Sequence, residues 1–156
     1  MLGWIEKIID FLLGRTSGRK EDMTKATTTR VEVDITPMLR NGGTVYCEVD
    51  PAPGSGRYVK GGVIKLPRGA TYDVEFRIQP GDVPGLQFDP AAPFWSAANA
   101  CPGGAGNDAQ FTDPTCVDPT TASVRATPAG SKNAVHYRLN FNDGSNCDPI
   151  IINGGL

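Results

Sequence analysis

The chain has no long hydrophobic run. No stretch approaches the roughly 20 apolar residues of a spanning helix, which excludes an integral helical membrane protein. The first apolar stretch is broken by Glu6, Lys7 and Asp10, and no small-residue cleavage site follows it. No secretory signal is therefore expected, and the protein is read as cytoplasmic or peripherally attached to a membrane. Net charge is also low. At −2 it creates no field that would gather nucleic acid. The sequence contains a single histidine and no Cys-x-x-Cys, so a zinc site is not expected. It also lacks Gly-x-Ser-x-Gly, a phosphate loop and His-Glu-x-x-His. The reading is of a non-enzymatic protein with no cofactor and no metal.

The 156 residues include 19 Gly and 13 Pro, with 39% hydrophobic content. That suffices for one core in a single domain of short strands joined by many turns. Charge is unevenly placed. Residues 1–30 hold six basic residues (Lys7, Arg15, Arg19, Lys20, Lys25, Arg30) against four acids. Residues 80–156 hold three (Arg125, Lys132, Arg138) against seven, all Asp. Head-to-tail attraction between copies is consistent with this, although salt screens exposed charges within about 8 Å. Four cysteines, Cys47, Cys101, Cys116 and Cys147, allow three full pairings. Cys101 and Cys116 bracket a Gly/Asp/Thr-rich loop and are the expected disulfide, with free thiols the alternative in a cytosolic setting.

Residues 2–14 carry helical periodicity. At 100° per residue, Leu2, Trp4, Ile5, Ile8, Ile9, Phe11, Leu12 and Leu13 cover an arc of about 200°, and Glu6, Lys7 and Asp10 fill the opposite side. Gly14 ends the helix, and Arg15 suits the negative end of its dipole. Residues 15–29 are polar and aperiodic, a linker. From residue 30 the period becomes two. Val31, Val33 and Ile35 alternate with Glu32 and Asp34, and Val45, Cys47 and Val49 follow the turn Asn41-Gly42-Gly43. Tyr58–Leu66, Tyr72–Ile78, Leu86–Phe88, Ala122–Ala126, Val135–Phe141 and Ile150–Ile152 complete the set. Seven or eight strands at this spacing predict an all-β domain over 30–156, an immunoglobulin-like antiparallel β-sandwich preceded by the short amphipathic helix. The segment from Asp89 to Pro119 reads as one long loop, of a length that usually carries function.

The run Tyr72-Asp73-Val74-Glu75-Phe76-Arg77-Ile78 leads through Gly85-Leu86-Gln87-Phe88-Asp89-Pro90 to Pro93-Phe94-Trp95, and the C-terminal stretch reads Cys147-Asp148-Pro149-Ile150-Ile151-Ile152-Asn153. Over about residues 25–156 these motifs resemble the DP-EP family, small bacterial β-sandwich proteins of unassigned function. Ala92-Pro93 stands where that family has Glu-Pro. The resemblance implies the sandwich fold and brings no catalytic residues.

The N-terminal arc is the main candidate interface. An isolated helix of about 13 residues is marginal in water, and burying eight large apolar groups at roughly 1.5 kcal/mol each is worth about 10 kcal/mol. The arc is wider than one flat contact covers. Packing between copies, giving a homo-oligomer or filament, is the first expectation. A membrane surface is the second, and folding back onto the sandwich is the bland reading. Phe94 and Trp95 are candidates to stack on a sugar ring, against the commoner role of plugging the core. Asn140, Asn142, Asp143, Asn146 and Asp148 offer oxygen ligands, but Asn-Asp-Gly-Ser reads better as a hairpin turn. His136 is expected to face solvent.

Overall fold

A computed structural model describes residues 27–98, 101–102, 104, 106–129 and 134–154. The expected helix (1–14) and nearly all of the linker (15–29) lie outside these residues. Within them every regular element is a strand and none is a helix. There are ten: β1 Thr29–Leu39, β2 Val45–Pro51, β3 Val59–Lys60, β4 Val63–Leu66, β5 Tyr72–Ile78, β6 Phe94–Ala98, β7 Phe111–Asp118, β8 Thr121–Ala126, β9 Ala134–Asn140 and β10 Asn146–Gly154. They form two five-stranded sheets, sheet I in the order β2-β1-β5-β8-β7 and sheet II in the order β3-β4-β10-β9-β6.

Alternation in the sequence decides which face each strand buries. Along β1, Val31, Val33 and Ile35 are inaccessible while Glu32, Asp34 and Thr36 point away from the core. β5 repeats the pattern with Tyr72, Val74 and Phe76 inward, and β9 does so with Val135, Tyr137 and Leu139. The inner faces of the two sheets meet in one continuous core. At its centre the Phe76 and Tyr137 rings, one from each sheet, have centroids 5.2 Å apart. Aromatic contacts at such distances add to the value of the buried area itself.

Three features depart from the expectation. The sheets are mixed rather than antiparallel, because β1 pairs with β5 in parallel and β4 pairs with β10 in parallel. After the β1–β2 hairpin the chain crosses to sheet II for β3 and β4, then returns on the other flank of β1 and runs in the same direction. The run 58–66 splits into β3 and β4, since Gly61 and Gly62 take φ of 59° and 75° and make a two-residue hairpin that other residues would strain. The supposed loop 89–119 contains β6 and β7, whereas Leu86–Phe88 contributes only an isolated bridge from Phe88 to Phe141. The return from β5 packs closely on the end of β1. There the Asp82 N–H donates to the Pro37 carbonyl, and a side chain at Gly81 would collide with that same oxygen.

Candidate functional site

Phe94 and Trp95 are neighbours on β6 and therefore face opposite ways. Phe94 is buried, its ring 5.5 Å from those of Phe111 and Tyr137 and 6.0 Å from that of Phe76. It plugs the core and is unavailable to a ligand. Trp95 lies on the outer face of sheet II, half-buried, with the Arg138 guanidinium 5.3 Å from its ring centre. Arg138 Nη1 also donates to the Pro102 carbonyl at 3.4 Å, so the cation that occupies one face of the indole is held in place. Sugar stacking is left with only the other face. His136, on the same side of β9, is half-buried rather than solvent-facing. Its Nδ1 and Arg138 Nε are enclosed without hydrogen-bond partners.

The cysteines pair differently from the expectation. Cys47 on β2 and Cys147 on β10 form a disulfide that ties sheet I to sheet II, with Cα atoms 5.6 Å apart and a sequence separation of 100. Cys101 and Cys116, the expected pair, are both free; Cys101 is exposed and Cys116 half-buried. The physical reason is placement. Cys116 sits in the bulged part of β7, where its thiol donates to the Asp118 carbonyl at 3.1 Å. Burial, with the nearby Asp118 and Asp89 charges, pushes that thiol's pKa up, so it is a poor nucleophile. Beside the disulfide, Arg40, Tyr46, Ser145 and Asn146 line a cleft of about 460 Å³. Asp143 spends its carboxylate on the adjoining turn, accepting from the Ser145 N–H and hydroxyl at 2.8 and 2.6 Å. Among the described residues no three His, Cys, Asp or Glu side chains gather as metal ligands.

The densest chemistry lies on the outer face of sheet I. The parallel register sets Arg30 beside Asp73, Glu32 beside Glu75 and Asp34 beside Arg77. The order cation–acid–acid thus runs against acid–acid–cation, and the pairs form diagonally. Arg30 Nη2 donates to both oxygens of Glu75 at 2.8 Å, and Arg77 Nη2 lies 2.9 Å from Glu32. Gln79 Nε2 donates to Asp34 at 3.1 Å. Arg125 on β8 reaches Asp73 at 3.2 Å and Asp113 at 3.8 Å. A groove of about 320 Å³ runs between these last groups, lined by Asp73, Glu75, Asp113, Arg30 and Arg125. Glu48 and Asp50 on β2 share the same face and are exposed, and no described residue pairs with either. Such exposed pairs contribute little to stability singly. Their effect is to fix where charge stands.

Sequence reasoning placed these residues outward and still missed the face they make. The signal was the mirrored charge order of residues 30–34 and 73–77, which becomes legible only when β1 and β5 are known to be adjacent and parallel. The acids of this face come mostly from β1, β2 and β5 (Glu32, Asp34, Glu48, Asp50, Asp73 and Glu75), and Asp113 on β7 is its one member from the acid-rich stretch 80–156. A scan against protein-family models finds no match for the chain, and a search of curated proteins finds none.

Proposed function

We propose that this protein is a non-enzymatic assembly protein. Its residues 1–14 self-associate through the apolar arc of Leu2, Ile5, Ile9 and Leu12, with Trp4, Ile8, Phe11 and Leu13 on the adjoining flank, and the β-sandwich is displayed outside. One observation carries the reading. Among the described residues the exposed large hydrophobics are Leu39 and Val117, single side chains three strands apart in sheet I, whose outer face carries seven acids. A soluble domain that accepts an apolar helix offers it a contiguous apolar patch, and neither residue makes one. An equivalent arc from another copy supplies the matching surface. The domain itself is read as an immunoglobulin-like sandwich with DP-EP resemblance, supported by its two face-packed sheets. The Cys47–Cys147 disulfide supports an oxidising compartment over the cytoplasm, where thiol pools keep cysteines reduced.

Light scattering on the full chain, on a chain lacking residues 1–22, and on an Ile5→Asp/Ile9→Asp variant tests the reading. A multimer is expected for the first and monomers for the other two. A monomeric full chain ends it. A second reading, anchoring to a membrane surface by the same helix, draws support from Arg15, Arg19 and Lys20, which follow the helix where anionic headgroups would meet them. It predicts co-sedimentation of the full chain with vesicles containing phosphatidylserine, lost on deleting residues 1–22.

A further inference from the structure

On the outer face of sheet I, Asp50 stands directly opposite Asp34 in the β1–β2 ladder, with Glu48 two residues away on the same side. Like charges across a ladder are unfavourable. Asp34 shares Gln79 and a long contact to Arg77 at 3.8 Å, but no described residue neutralises Asp50 or Glu48. The face sets Arg30, Arg77 and Arg125, with Arg40 stacked on Tyr46 at its β2 edge, against Glu32, Asp34, Glu48, Asp50, Asp73, Glu75 and Asp113. It is a charged sheet face with its counter-charge missing, and the acid-lined groove beside Arg125 continues it.

The same chain carries a complement. Residues 15–25 hold Arg15, Arg19, Lys20 and Lys25 against Glu21 and Asp22. Extended, these residues reach about 36 Å, comparable to the 11-residue strand β1. We infer that the outer face of sheet I docks residues 15–25 of a second copy, so that helix association is followed by a charge-matched contact between one copy's linker and its neighbour's sandwich. This rests on the assembly reading above. The occupant is a second copy because of how the chain enters β1. The Thr29 N–H already donates to the Thr71 carbonyl, so the ladder begins there. Residues 23–29 read Met-Thr-Lys-Ala-Thr-Thr-Thr, with no Gly, Pro, Asn or Asp to make a reversal. Three β-branched threonines in a row favour an extended path. To cover its own sheet the linker must double back at once; to reach a neighbour it continues outward.

Sedimentation velocity on the full chain tests the proposal, comparing wild type, R19E/K20E/K25E, Glu48→Lys/Asp50→Lys, and the two sets combined. Each set alone is expected to raise the midpoint concentration for assembly roughly tenfold in 0.15 M salt. The combined variant regains most of the loss, because the signs match again. In 1 M salt, where the screening length falls to about 3 Å, the four proteins converge. Carbodiimide coupling of a mixture of isotope-labelled and unlabelled chains should join Lys20 or Lys25 to Glu48 or Asp50 between copies. Reversals that leave the midpoint unchanged, or couplings confined to single chains, overturn the docking and leave helix-driven assembly standing. A wild type that stays monomeric at every concentration overturns both.

Discussion

The two sides of the sandwich are closed by different chemistry. On one side β2 is tied to β10 by Cys47–Cys147. On the other, β6 and β7 face each other through Phe94 and Phe111, 5.5 Å apart, while Cys101 and Cys116 keep free thiols. The contrast follows from what each edge strand has to bury. β2 sends one side chain, Val49, into the buried class, and its other residues are half-buried or exposed. The β6–β7 side closes on four rings, Phe76, Phe94, Phe111 and Tyr137. An edge with apolar volume to fill the space between sheets holds by packing, and one without it uses a covalent link.

Removing the disulfide is the strongest way to break this comparison. For a closed loop of about 100 residues, unfolded-chain entropy alone puts its value at about 4.7 kcal/mol. A Cys47→Ala/Cys147→Ala protein should lose most of that in urea unfolding, and reductant should reproduce the loss in wild type. A drop under about 1 kcal/mol would mean that the aromatic side sustains the whole domain. Phe94→Ala is next. Emptying a fully buried ring position costs about 3–5 kcal/mol, and the same unfolding measurement should place it near the lower half of that range if Phe111 and Tyr137 relax into the space. A cost below about 1 kcal/mol would show that the four rings do not act together.

Tyr137→Phe sharpens the comparison in the opposite direction. The Tyr137 hydroxyl is enclosed and has no hydrogen-bond partner, and burial raises its pKa well above the ordinary value, so it stays neutral. An unpaired buried hydroxyl costs about 1–3 kcal/mol. Its removal should therefore stabilise the aromatic side by about 1 kcal/mol, read as a higher urea midpoint at unchanged slope. A destabilised variant would mean that the hydroxyl has a partner after all.

The same contrast explains what was legible in the sequence. Strands with two-residue alternation announced themselves: Val31–Ile35, Tyr72–Phe76 and Val135–Leu139 all bury the residues the pattern selects. β7 hid because it is an edge strand. Of its residues only Phe111 is buried, Asp113 takes a positive φ, Pro114 follows, and the register slips twice. Nothing in local patterning separates such a strand from a loop. The disulfide hid for a different reason. Loop logic favours cysteines near in sequence, and the pair that formed is set by a sheet-to-sheet contact across 100 residues. The charged face of sheet I was half visible. Each outward residue was readable alone, but which strands stand side by side was not, because parallel pairing of β1 with β5 leaves no mark on either strand's alternation.

The smallest effect tests the two sides through their turns. Asp143, in the β9–β10 turn beside the disulfide, accepts hydrogen bonds from the Ser145 hydroxyl and N–H, which hold its pKa below the ordinary value. Asp118, in the β7–β8 turn on the aromatic side, is held low by the Thr120 N–H and the threonine hydroxyls. A carboxylate whose folded pKa is depressed contributes stability above its unfolded value, near about 3.9, and that contribution is lost as pH falls through the folded pKa. Both groups therefore act in the same direction, and acid below about pH 4 weakens both turns. They differ in what the turn supports. Asp143→Ala loosens the entry of β10, the strand that carries Cys147; because the carboxylate is exposed and screened by solvent, the substitution should cost only about a few tenths of a kcal/mol at pH 6 and almost nothing at pH 2. With the disulfide reduced, the pH 6 cost should shrink, because the turn then no longer positions a cross-link. Asp118→Ala should show the same pH trend with no dependence on reductant. If reductant alters the two alanine variants equally, the division of the sandwich into a covalent side and a packed side fails at its turns.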